Sequence, residues 1–133
     1  MSQNLDLVRS IFAAWAHGDF GSSFWASYDV EFTIADGPAR GTWTGRAAMA
    51  TAWRDFLRGW VDFRAFADEC RELDGGRVLV LSHLTGRGKP SALDVGEMRT
   101  TGAHIFHIEN GEVIKLVVYG DRNRALADLG LKE

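Results

Sequence analysis

The chain has a single cysteine and only two prolines in 133 residues. Cys70 has no second thiol to pair with, which excludes an internal disulfide, a two-cysteine redox motif and a cysteine metal knuckle; it reads as an ordinary strand residue. Metal-ligand spacing is also missing among the four histidines. His104 and His107 are three residues apart on an expected strand, so they point to opposite faces, and no metal is expected. Basic stripes are absent: Lys and Arg number 15 against 18 Asp and Glu and are scattered among them, so nucleic acid is not an expected partner. There is no apolar run long enough to span a bilayer, and Met1-Ser2-Gln3-Asn4 leads straight into an amphipathic pattern. The expectation is a cytoplasmic protein with no membrane contact. Gly86-Arg87-Gly88-Lys89 lacks the full spacing of a phosphate-binding loop and does not join a strand to a helix, so it reads as a mobile basic loop at the rim of any pocket.

What is present is apolar bulk. Apolar residues make up 46% of the chain, with five Trp and eight Phe, enough for one continuous core. With no repeat, linker or low-complexity tract, one domain over residues 1–133 is expected. Leu5, Val8, Phe12 and Trp15 fall on one face of a helix that Asn4 can cap and Gly18 can end. Asp19 offers a fresh cap, and Phe20, Phe24 and Trp25 suggest a short second helix. Val30, Phe32 and Ile34 alternate with polar residues as in a half-buried strand, which Asp36-Gly37-Pro38 stops as a turn. After a loop containing Trp43, Met49, Trp53, Phe56 and Leu57 return to helical spacing. Strands follow over about 61–73, 78–81, 97–106 and 113–119, and Asp121 can cap a final helix carrying Leu126 and Leu129. The predicted class is α+β: a curved, mostly antiparallel five-stranded sheet wrapped around three N-terminal helices, with a short C-terminal helix.

The turn at Glu109-Asn110-Gly111 bears on which residues face inward. A two-residue Asn110-Gly111 loop would pair Ile108 with Val113 and carry Lys115 onto the face of Phe106. A three-residue loop instead pairs Phe106 with Ile114 and His104 with Leu116, and is preferred because it keeps a charge off an apolar face. It gathers His104, Phe106, Ile114, Leu116 and Val118 on one side. Ile105, His107, Lys115, Val117 and Tyr119 lie on the other, and such an apolar outer face predicts a homodimer through the sheet.

Several stretches resemble SnoaL-like members of the nuclear-transport-factor-2-like superfamily. Val8 to Trp15 with His17-Gly18-Asp19-Phe20 is similar to their opening helix and its exit, and Tyr28-Asp29-Val30-Glu31-Phe32 to their first strand. Gly41 to Arg46 resembles the turn into the family's third helix; Ile108 to Val113 and Tyr119-Gly120-Asp121-Arg122 resemble its closing segments. The resemblance implies a cone fold around an apolar pocket, worked without metal or organic cofactor. Ketosteroid isomerases, polyketide cyclases, epoxide hydrolases, dehydratases and pure binding proteins share that fold, so fold alone does not fix function. Comparison with the ketosteroid isomerases places Ile34 at the position of their carboxylate base, Ile11 at that of their tyrosine and His104 at that of their protonated aspartate. Comparison with epoxide hydrolases places Ser82, Leu84 and Val118 where those enzymes carry an Arg and two Asp.

His104 is the leading candidate for a catalytic acid, base or oxyanion donor, since the preferred register turns it toward Phe106 and Leu116. The alternative is a buried neutral imidazole with a structural partner. Asp121 matches a carboxylate at the end of the last strand in SnoaL-like cyclases, and equally suits a helix cap, which is favoured. Phe12, Trp15, Ile34, Trp53, Ser82, Phe106, Leu116 and Val118 are the expected pocket lining. Two functions follow: proton transfer on an apolar, carbonyl-bearing small molecule, of isomerase or cyclase type, or a non-catalytic ligand-binding or dimerisation domain.

Overall fold

The apolar spacing of the first segment produces helix α1 (Gln3–Ala16) in the computed structural model, which describes residues 3–20, 25–37, 40–88 and 97–131, the side chains of 88 and 97–99 excepted. α1 runs through Asn4, so that residue does not cap it. Its end is as expected: Gly18 takes φ 81°, a left-handed conformation that costs glycine little, and donates its N–H to the Trp15 carbonyl at 3.0 Å. The short helix expected from Asp19 to Trp25 falls largely outside the described residues.

The strands are β1 (Ala26–Ile34), β2 (Gly41–Thr44), β3 (Trp60–Leu73), β4 (Arg77–Gly88), β5 (Glu97–Glu109) and β6 (Glu112–Tyr119). They form one curved, unclosed sheet in the order β2-β1-β6-β5-β4-β3, antiparallel except where β1 runs parallel to β6. There are thus six strands rather than five. The extra one, β2, is four residues around Trp43 that sequence reading treats as loop; it pairs with β1, Phe32 opposite Trp43. Helix α2 (Arg46–Leu57) lies between β2 and β3, and helix α3 (Arg122–Asp128) closes the described chain.

The two faces of the sheet carry separate apolar clusters. On the inner face, α1 buries Val8, Ile11, Phe12 and Trp15 against the sheet, joined by Met49 and Trp53 of α2. Trp15 is the hub: its ring centroid lies 4.9 Å from Phe12, 5.4 Å from Trp53, 5.5 Å from His104 and 5.7 Å from Phe20. On the outer face, Leu79, Leu81, Ala103, Ile105 and Tyr119 are covered by Ala125 and Leu126 of α3. The Tyr119 hydroxyl donates to Asp128 of that helix at 2.8 Å. Ile105 and Tyr119, which sequence reading leaves open for a homodimer, are therefore buried by the chain's own helix, 4% and 6% exposed.

The hairpin between β5 and β6 also differs from expectation. Asn110 and Gly111 both have positive φ, 52° and 78°, as a two-residue turn requires, and Glu109 pairs with Glu112 and Ile108 with Val113. The charge conflict that counts against this turn is removed by a bulge. Ile114 is left without a partner and is exposed, so pairing resumes with His107 opposite Lys115 and Phe106 opposite Leu116. His104 then faces Val118 rather than Leu116 as its partner, and Ile114 leaves the inner face.

Trp15 is 2% exposed, and its ring neighbours Phe12, Phe20, Trp25, Trp53, His104 and Phe106. Trp15→Ala is therefore expected to cost about 3–5 kcal/mol of stability, read from denaturant unfolding followed by far-ultraviolet circular dichroism. A loss below 1 kcal/mol would show that the cluster does not depend on this ring.

Candidate functional site

Between the inner face and α2 lies a cavity of about 360 Å³. Its aromatic wall is continuous: Trp53 sits 5.4 Å from Phe32 and 6.2 Å from Phe56, and Phe56 sits 5.1 Å from Phe63 and 6.3 Å from Trp60. Ile34, Ala65, Leu84 and Val118 supply aliphatic surface from the strands. Polar atoms come from few places, chiefly His104, Thr100 and Asp36.

His104 is 1% exposed, its ring held at 5.2 Å and 88° to Phe12 and against Trp15. Its Nδ1 lies 3.1 Å from the Ser82 hydroxyl, which donates to or accepts from the ring according to the tautomer. Register explains the contact: Val80 pairs with His104 and Ser82 with Gly102, so the serine is one inward step along β4 from the imidazole. A side chain at position 102 would come within 2.7 Å of the Tyr119 carbonyl, so glycine is what lets β5 and β6 close up here. From the outer side Arg122 donates to the Ser82 carbonyl at 2.7 Å and to Asp68 at 3.1 Å, fixing the backbone that carries the serine. Burial alone pushes the His104 pKa down to about 3, so the imidazole is neutral at physiological pH. It acts there as a hydrogen-bonding group rather than as a proton store.

Asp36 stands at the other end of the cavity, where β1 has ended. One carboxylate oxygen accepts from the Gly120 N–H at 2.7 Å and the other from the Asp121 N–H at 3.1 Å, tying this end of β1 to the approach to α3. Asp121 itself does not line the cavity. Its carboxylate accepts from the N–H groups of Asn123 and Arg124 at 3.0 and 3.4 Å, which makes it the cap of α3.

Of the residues expected to line the pocket, Ile34, Trp53 and Val118 do so together with His104. Phe12, Phe106 and Leu116 are packed in the cluster behind the imidazole, Ser82 is buried as its partner, and Trp15 borders a separate hollow with Phe20 and Met49. The lining that sequence reading leaves out includes Phe56, Trp60, Phe63, Ala65, Leu84 and Thr100, of which Phe56 is available from its helical spacing with Trp53; Asp36 ends the first strand near the expected pocket mouth, where its sequence favours a turn over a site role. Among the described residues no group of three or more His, Cys, Asp or Glu is arranged to hold a metal ion.

Residues 8–116 match the SnoaL-like domain. The chain belongs to that family. No curated protein matches it. Among solved structures, it is similar to an NTF2-like protein of unknown function from Burkholderia pseudomallei, at 23% identity, 96% coverage of this chain and 97% of the other, TM-score 0.77. TerC, co-crystallised with polyporic acid, is 20% identical over 96% and 98% of the two chains, TM-score 0.73. A hypothetical protein of ketosteroid isomerase-like fold from Catenulispora acidiphila, in complex with trimethylamine, is 16% identical over 96% and 94%, TM-score 0.72. At these identities the likeness is one of fold, and the chemistry of this SnoaL-like domain rests on its own side chains.

The depressed pKa of His104 has a measurable consequence. Above pH 6.5 the ring is neutral folded or unfolded and contributes no pH dependence; below it the unfolded chain binds a proton that the folded chain refuses until about pH 3. Stability therefore falls on acidification by about 1.4 kcal/mol per pH unit from this group, or about 3 kcal/mol between pH 7 and 4.5. His104→Gln removes that term, so each protein's unfolding free energy, referred to its own value at pH 7, should diverge across this range. Parallel acid limbs would mean that His104 titrates freely in the folded protein.

Proposed function

We propose that this SnoaL-like domain holds a small, mostly apolar molecule in the cavity of its cone and orients it through one hydrogen bond to the neutral imidazole of His104. The observation that carries this reading is a fully buried, uncharged histidine in the wall of a mostly apolar cavity, with one ring nitrogen already engaged by Ser82. Such a group rewards a ligand oxygen or nitrogen and repels nothing apolar around it. The ligand complexes of TerC and of the Catenulispora protein show that this fold accommodates small molecules.

A second reading is favoured by Asp36. Val118 is the partner of His104, and Gly120, whose N–H holds the Asp36 carboxylate, lies two residues farther on, roughly 7 Å along the chain. A carbonyl ligand bonded to His104 thus extends toward a carboxylate. In this reading Asp36 removes a proton from the carbon next to the carbonyl, the resulting enolate oxygen accepts a hydrogen bond from His104, and the proton returns to carbon to give an isomer. A neutral imidazole suits the donor role better than the acid or base role.

A panel of apolar ketones and matched hydrocarbons, followed by thermal shift and tryptophan fluorescence, tests the binding reading. The ketones should raise the melting temperature by mass action, and His104→Gln should weaken the ketones about tenfold while leaving the hydrocarbons unchanged. Equal losses for both series would remove His104 as the anchor. Deuterium uptake from heavy water next to the carbonyl of a bound ketone, abolished by Asp36→Asn, is the outcome required by proton transfer; its absence leaves a binding protein.

A further inference from the structure

We infer that the ligand class of this cavity is an organic cation: an alkylammonium group on an apolar body, taken up between the aromatic wall and Asp36. The inference rests on the cone being a ligand site and is independent of the proton-transfer reading. Trp53, Phe56, Trp60 and Phe63 form one run of neighbouring rings, with centroids 5.1 to 6.3 Å apart, along one side of the cavity. Each ring face carries the negative end of a quadrupole, so a desolvated ammonium is attracted where an anion is repelled.

The formal charges point the same way. Among the described residues lining the cavity, Asp36 is the one side chain charged at physiological pH, and its sign is negative. Its hydrogen-bond partners are the backbone N–H groups of Gly120 and Asp121, which orient the carboxylate without neutralising it. His104, in the same wall, is a buried imidazole bonded to Ser82, and no described lining residue carries a positive formal charge that would oppose a cation. A neutral ligand gains only apolar burial and the His104 hydrogen bond. An anion meets the Asp36 carboxylate and aromatic rings with no cationic side chain among the described lining, leaving the order cation, neutral molecule, anion.

The test compares choline with 3,3-dimethylbutan-1-ol, which has the same shape with carbon in place of the charged nitrogen. Titration calorimetry gives the affinities, and the indole N–H signals of Trp53 and Trp60 show that the cavity is the site. Choline is expected to bind at least tenfold tighter than the alcohol, and Asp36→Asn is expected to narrow that ratio about tenfold. Trp60→Leu keeps an apolar side chain but removes the ring, so it should narrow the ratio as well, whether or not the Asn variant folds. An alcohol that binds as well as choline, with indole shifts, overturns the cation while leaving the cone a ligand site. Indole signals that move with neither compound remove the ligand site itself.

Discussion

The bulge at Ile114 governs which residues each face of the sheet receives. A hairpin closed by Asn110-Gly111 and paired without interruption would send Lys115 inward beside Phe106 and bring the outer-face residues of β6 into the wrong phase. One unpaired residue restores the alternation. Val113, Leu116 and Val118 then join the inner cluster or the cavity wall, while Lys115, Val117 and Tyr119 face outward. Lys115 reaches Glu31 on the neighbouring strand at 3.3 Å, Tyr119 reaches α3, and His104 is set opposite Val118 at the cavity. The inner core, the docking of α3 and the position of the one buried histidine thus share a single local irregularity.

Packing behind His104 determines its chemistry. Phe12, Trp15 and Phe106 exclude water from one side of the ring, and its hydrogen-bond partner among the described residues, the Ser82 hydroxyl, is itself uncharged. Nothing adjacent compensates a proton, so desolvation controls the equilibrium and the ring stays neutral. Of the two sequence readings of His104, a titrating acid or base and a buried neutral imidazole with a structural partner, the geometry and the desolvation fit the second, with Ser82 as the partner.

Much of this arrangement was legible in the sequence because it is written in short periods. Val8, Phe12 and Trp15 at helical spacing and Phe32 and Ile34 in alternation predicted α1 and β1 and their buried sides. What failed to show depends on tertiary context. The four residues of β2 are too few to display a period. The bulge changes phase without a glycine or proline to mark it, and a longer turn removes the same charge conflict on paper, so the sequence does not distinguish the two. The outer apolar face was read correctly as a face, yet its cover is α3, a seven-residue helix whose docking no local pattern announces. Asp36 illustrates the same limit at the site. Asp-Gly-Pro is a turn by composition, and only the fold brings its carboxylate to backbone groups 84 and 85 residues away.

The cavity is consequently polarised along its length. Its buried end holds a neutral imidazole in the wall, where a charged ligand group would lose its hydration for a single hydrogen bond, a trade that desolvation makes unfavourable. Asp36, half-buried in the same wall, presents a carboxylate held by the Gly120 and Asp121 N–H groups. A ligand with one neutral polar group and one charged group therefore has a single favourable orientation, neutral end toward His104 and charged end toward Asp36. Because Asp36 also holds the N–H groups of Gly120 and Asp121, and Asp121 caps α3, the carboxylate in the cavity wall is part of the link between the inner face and the helix that covers the outer face.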